Sequence, residues 1–166
     1  MQDPAEELER DELLALARRD AEAGRVEEAL RKLKPLIAGD DALAEALPLA
    51  ARIYAQLDLV ERARACYRKY LAARPEAVLE SFELGMTYYE KGDAGEAEKL
   101  WHGVLERSPT HPPALFYRAL LAARAGRAPD ARRDLEVLIK AVPADNLYVT
   151  RGKELLQEMD SQKGAH

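Results

Sequence analysis

The chain has 166 residues, of which 48% are hydrophobic and 33% charged, with a formal net charge of -5 and a pI near 5.4. That length fits one or at most two domains with an ample core, and the acidic balance removes the electrostatic basis for binding nucleic acid or an anionic membrane surface. A single cysteine, Cys66, excludes an intramolecular disulfide, and no apolar run approaches the ~20 residues that a membrane-spanning helix needs.

Residues 1–10 are polar and acidic, unlike a secretory signal, and 1–9 read as a frayed lead-in to the first helix. The expected setting is therefore cytoplasmic. A periplasmic or membrane-anchored one is the alternative for a longer gene product. Helices are predicted over 11–23 and 26–37, within a first unit spanning 10–43. Pro35 falls inside the second of these and should kink it or end it early, because proline removes a backbone donor. A second unit covers 44–77, with Pro48 in the first turn of its first helix, where the N–H lacks an intrahelical partner anyway. A third unit covers 78–111 and a fourth 112–145, with Pro129 at the start of a helix. One more helix is predicted over 146–160. It presents Val149 and Leu156 inward and Lys153, Glu154, Gln157 and Glu158 outward, as a cap on the last unit requires. Residues 161–166 are expected to be disordered.

The units repeat in register. Gly24, Asp58, Gly92 and Gly126 stand at the bends, each 34 residues after the last. Ala29, Ala63, Ala97 and Ala131 keep the same spacing. So do Leu33, Tyr67, Trp101 and Leu135, then Leu36, Tyr70, Val104 and Leu138, and at the exits Asp41, Pro75, Pro109 and Pro143. Gly or Asp at the bend tolerates the turn conformation that reverses the chain. Alanine lets the second helix approach the first, and the bulky residue four places on shares its face. Proline at the exit cannot continue a helix.

This register, most complete over 78–111 with Leu84, Gly85, Tyr88, Gly92, Ala97, Trp101, Val104 and Pro109, resembles the tetratricopeptide (TPR) helix–turn–helix unit of about 34 residues. The resemblance implies a single all-α domain over 1–166: a right-handed α-solenoid of four TPR repeats with a C-terminal capping helix. It also implies a concave face lined by first helices, where TPR proteins usually bind extended peptides or helices. By resemblance that face carries Leu14 and Arg18, then Pro48, Arg52 and Gln56. It continues with Leu79, Phe82, Met86, Tyr89 and Glu90, and ends with Phe116, Tyr117, Leu120 and Arg124. Arg18 and Arg52 make one end basic, and the other end is apolar and aromatic. Such a groove suits an apolar or amphipathic segment with a few acidic residues. Met86 lends it adaptability. The carboxylate clamp by which some TPR domains hold chaperone tails uses Lys, Asn, Asn, Lys and Arg. The matching positions here carry Leu14, Arg18, Leu49, Leu79 and Glu83, so that mode is disfavoured.

No catalytic constellation is legible. His102, His111 and His166 are scattered, no His/Cys/carboxylate cluster has metal-ligand spacing, and there is no P-loop, dinucleotide fingerprint or GxSxG. Cys66 reads as a small structural or surface thiol beside Tyr67. Tyr54, Tyr67, Tyr70, Tyr88 and Trp101 read as core. The expectation is a non-enzymatic scaffold, adaptor or chaperone-like protein, without cofactor or metal, that binds a protein or peptide in its groove. A self-assembling module such as a homodimer is one alternative. The TPR part of a bacterial envelope or cytochrome-maturation assembly machine, its anchor removed, is another.

Overall fold

In the computed structural model the backbone is described from residue 4 to 163 and side chains from 9 to 161. Within those residues the chain is all helix, turn and loop. The elements are α1 (Pro4–Glu22), α2 (Val26–Ile37), α3 (Leu47–Gln56), α4 (Val60–Ala73), α5 (Val78–Tyr89), α6 (Ala94–Arg107), α7 (Pro112–Arg124), α8 (Ala128–Ala141) and α9 (Leu147–Lys163). A 3₁₀ turn, Ala44–Ala46, leads into α3.

The repeat register governs the element boundaries. The second helices begin at 26, 60, 94 and 128, and α4, α6 and α8 end at 73, 107 and 141. Between them lie turns of one kind. Gly24, Gly92 and Gly126 have φ of 74°, 82° and 74°, and Asp58 has 58°. At each turn the amide after the bend donates back across it: Arg25 to Asp20, Leu59 to Tyr54, Asp93 to Tyr88 and Arg127 to Ala122, at 2.8–2.9 Å. The bend residue itself donates to the carbonyl three before it. This paired pattern satisfies carbonyls that the helix end would leave open, and it needs a left-handed residue at its centre.

Pro35 ends α2 early. The helix stops at Ile37, two residues short of its counterparts in the other repeats, and Ala38 is extended. Pro48 and Pro129 sit in the first turns of α3 and α8. Two terminal expectations change. The lead-in is helical from Pro4, where proline's fixed φ suits a first turn. At the other end α9 runs through Lys163, so 161–163 are helical, while 1–3 and 164–166 lie outside the described residues.

The chain packs as two compact units, divided after Glu80, three residues into α5. In unit 1 the α1–α2 and α3–α4 hairpins pack through α2 and α3. Their core includes Ala17, Ala29, Leu33, Ala51, Ala63 and Tyr67. In unit 2, α7 packs on α6 and α8, and α9 closes against α7 and α8. Its core centres on Trp101, Val104, Ala119, Leu135, Leu138 and Val149. Lys153, Glu154, Gln157 and Glu158 face water, as a cap should, and Leu155 rather than Leu156 is buried with Val149.

A further small-residue column appears on the first helices: Ala17, Ala51, Gly85 and Ala119, again 34 apart and all buried. Gly85 shows its purpose. A β-carbon there would lie 2.4 Å from Trp101 Nε1, so the missing side chain is what lets the indole sit against α5. Trp101 Nε1–H donates to the Phe82 carbonyl at 3.2 Å, so its one polar group is satisfied in full burial.

Candidate functional site: the first-helix faces

In unit 1, Arg18 and Arg52 line one cleft of about 430 Å³, with Pro48, Leu49 and Tyr70 in its walls. Glu22, Glu45 and Glu80 line it too. Arg52 pairs with Glu80 at 3.5 Å, and Glu45 pairs with Arg74 at 3.5 Å. The cleft is therefore of mixed charge, not the basic end read from the sequence, because the acidic residues of α5 and the 3₁₀ turn share its walls. Leu14 is only 5% exposed and belongs to the core of the unit. Leu79 is 50% exposed, and Gln56 is exposed.

In unit 2 the aromatic residues form two levels. Phe82 and Phe116 are buried, at 9% and 4% exposure. Phe82 packs on Trp101 (ring centroids 5.8 Å apart), His111 (5.3 Å) and Tyr117 (6.1 Å). Phe116 packs on Tyr117 at 5.3 Å and on Tyr148 of α9 at 5.8 Å. Their apolar area is thus committed to the fold. Above them Met86, Tyr89, Tyr117 and Leu120 are half-buried, and Glu90 and Arg124 are exposed. Tyr89 and Tyr117 meet edge to face at 5.3 Å, and both rest on Trp101, at 5.8 and 5.6 Å. Arg124 donates to the Tyr89 hydroxyl at 3.1 Å. Met86 and Leu120 occupy the same repeat position on α5 and α7. Tyr54, Tyr67 and Trp101 are core as expected, whereas Tyr70 and Tyr88 are half-buried.

Three features of this face were not read from the sequence. Tyr148 stacks over Phe116 and Tyr117. Arg151 holds its guanidinium carbon 4.3 Å from the Phe116 ring centre and 5.7 and 5.8 Å from those of Tyr117 and Tyr148. The signal was available, since Arg151 stands one repeat after Tyr117. His111 caps α7: its Nδ1 accepts from the Ala114 amide at 3.3 Å, which requires the neutral ring. Burial pushes this imidazole below its ordinary value of 6.5.

A second cleft in unit 2, about 520 Å³, opens among α6, α7 and α8. Its cations are engaged within the fold: Arg118 with Asp134, Arg127 with Glu98, Arg133 with Asp130 and Lys99 with Glu96. Burial raises the Cys66 thiol, which holds it in its unreactive protonated form. Among the described residues no group of His, Cys, Asp and Glu is placed to hold a metal ion, and no helix is long and apolar enough to cross a membrane.

The tetratricopeptide-repeat family model matches residues 82–146. Comparison with curated proteins gives no match. Among solved structures, a tetratricopeptide repeat protein from Parabacteroides merdae ATCC 43184 is similar with a TM-score of 0.81 at 18% identity, over 92% of this chain and 60% of that one. MamA from Desulfovibrio magneticus RS-1 gives 0.78 at 20% identity, over 94% and 88%. Another MamA crystal structure gives 0.74 at 18%, over 79% and 77%. At such identities the likeness speaks for the fold. The register of the bends, the hairpins built on it and the family-model match over residues 82–146 give this chain the tetratricopeptide-repeat fold.

Proposed function

We propose that the chain is a protein–protein interaction module that holds an extended or helical segment of a partner against the first-helix face of unit 2. The observation that carries this reading is the half-exposed pair Tyr89 and Tyr117 resting on the buried Trp101, with the half-exposed Met86 and Leu120 three residues away on the same helix faces. A platform whose underside is already packed is pre-organised, so a guest bears little ordering cost on this side of the contact. Covering one such aromatic contributes a few kcal/mol at about 25 cal/mol per Å² of apolar area, before entropic losses. The complementary segment is apolar or amphipathic with a few acidic residues.

The burial of Phe82 and Phe116 decides which residues test this. Alanine at those positions excavates the core of unit 2, at about 3–5 kcal/mol each, and so confounds binding with unfolding. Met86→Glu with Leu120→Glu instead places charge on the open face. Wild type and this variant are compared in affinity capture from the source organism, with thermal unfolding followed by circular dichroism. The expected result is a discrete partner retained by wild type and lost by a variant of unchanged helicity. Equal capture by both would remove the platform from the binding site.

A further inference from the structure

The chain is acidic overall, with 30 Asp and Glu against 25 Lys and Arg, so an arginine without a carboxylate beside it is informative. In unit 2, Arg118, Arg127, Arg132 and Arg133 are each paired, with Asp134, Glu98, Asp160 and Asp130. Three arginines of the unit have no carboxylate partner among the described residues. Arg107 donates to the Gly103 carbonyl of its own helix, whereas Arg124 and Arg151 contact the tyrosine platform. Arg124 donates to the Tyr89 hydroxyl, Tyr89 meets Tyr117, and Tyr117 lies with Phe116 and Tyr148 beneath the Arg151 guanidinium. One line of contact therefore runs Arg124–Tyr89–Tyr117–Arg151, with a positive charge at each end.

Arg151 is half-buried in this arrangement. A guanidinium taken partly out of water against rings keeps some attraction from their π faces, but it keeps its charge and its in-plane donors as well. Stacking fixes the plane of the fork, so less freedom is lost when a carboxylate arrives at its edge. The exposed Arg124 offers the same chemistry at the other end.

We infer that Arg124 and Arg151 are the specificity-determining residues of the platform, and that the segment it holds is an extended peptide carrying acidic residues on both sides of an apolar or aromatic one. The inference rests on the reading of the platform as the binding face. The capping helix α9 then does more than close the last repeat: it supplies one of the two anion contacts. The expected binding order is apolar centre on Tyr89, Tyr117 and Leu120, with carboxylates at Arg124 and Arg151.

A random peptide library displayed on phage and selected on the immobilised full chain tests this even while the natural partner is unidentified. The expected outcome is a wild-type pool rich in Asp or Glu flanking an apolar or aromatic residue. Selection on Arg151→Gln and on Arg124→Gln should each lose acidic enrichment on one flank and keep the apolar centre. A peptide from the wild-type pool should bind each variant about tenfold more weakly, with a shallower salt dependence. Arg151→Lys, which keeps the charge but not the planar fork, should retain part of the acidic preference. That outcome distinguishes recognition from a loss of packing on Phe116. Enriched peptides without acidic flanks, or flanks that persist in both glutamine variants, would overturn the inference and leave the platform standing. A wild-type pool that Met86→Glu with Leu120→Glu selects equally well, or no enrichment at all, would overturn the platform and the inference together.

Discussion

Gly85 and Trp101 pack with no room for a side chain between them. With a new β-carbon 2.4 Å from the indole nitrogen, Gly85→Ala must displace the ring that supports both platform tyrosines. Overpacking of this kind costs about 1–3 kcal/mol, measurable as a lower urea midpoint. Gly92→Ala isolates the other role of glycine. Nothing lies within 4 Å of its β-carbon position, so only the φ of 82° opposes the change, at about 1–2 kcal/mol. His111 adds a pH dependence of definite sign. Its folded pKa is depressed, so the unfolded chain takes up the proton first as pH falls past 6.5. The stability it contributes is present above that value, declines as pH falls below it, and stops declining below the folded pKa. Urea unfolding at pH 7 and pH 5.5 should show the loss. His111→Asn, which keeps a capping acceptor but does not titrate, should show a smaller one. Asp20 behaves as a depressed carboxylate. Lys32 and then Arg25 lower its pKa, so its contribution holds above 3.8 and is lost only in stronger acid.

At the scale of elements, the repeat frame made the helices legible. Four bends, four alanines and four bulky residues in one register located the second helix of the first unit to the residue at 26–37, and the bend glycines announced the turn geometry. The termini were less legible because the end helices lie outside the repeated columns, so α1 and α9 both extend beyond the expected limits. The platform was legible only in part. A repeat position shows which way a first helix points a side chain, but not how deep its neighbours bury it. Phe82 and Phe116 have the same repeat position, and both are sealed by rings arriving from elsewhere, Tyr117 and Tyr148. Leu14, at the equivalent place in α1, is buried too. Charge neutralisation was also invisible, since Glu80 meets Arg52 only when α5 is in place. The α9 cap offers its own test. Gly152 brings α9 close to Leu135 and Leu138, 3.3 and 3.0 Å from where a β-carbon would stand. Truncation before Asn146 should expose those leucines, lower the melting temperature and promote association, as an uncapped repeat array does. A truncated chain that melts like the whole one would deny α9 this role.

For the whole molecule, the repeated hairpin explains why so much of the sequence serves packing and so little is left for recognition. Alanine and glycine columns bring helices together, the bulky columns fill the space between them, and the remaining first-helix positions hold no residue type common to all four repeats. In unit 2 those positions gather Tyr89 and Tyr117 against the only tryptophan of the chain, which makes Trp101 a built-in reporter of whatever settles on them. The most direct measurement is therefore a titration of the full chain with a peptide from the wild-type selection, following Trp101 emission with calorimetry in parallel. If the platform is the binding face, emission changes saturably at the calorimetric stoichiometry, and both signals vanish in Met86→Glu with Leu120→Glu. Calorimetric binding that leaves Trp101 emission unchanged and survives those two substitutions would contradict it.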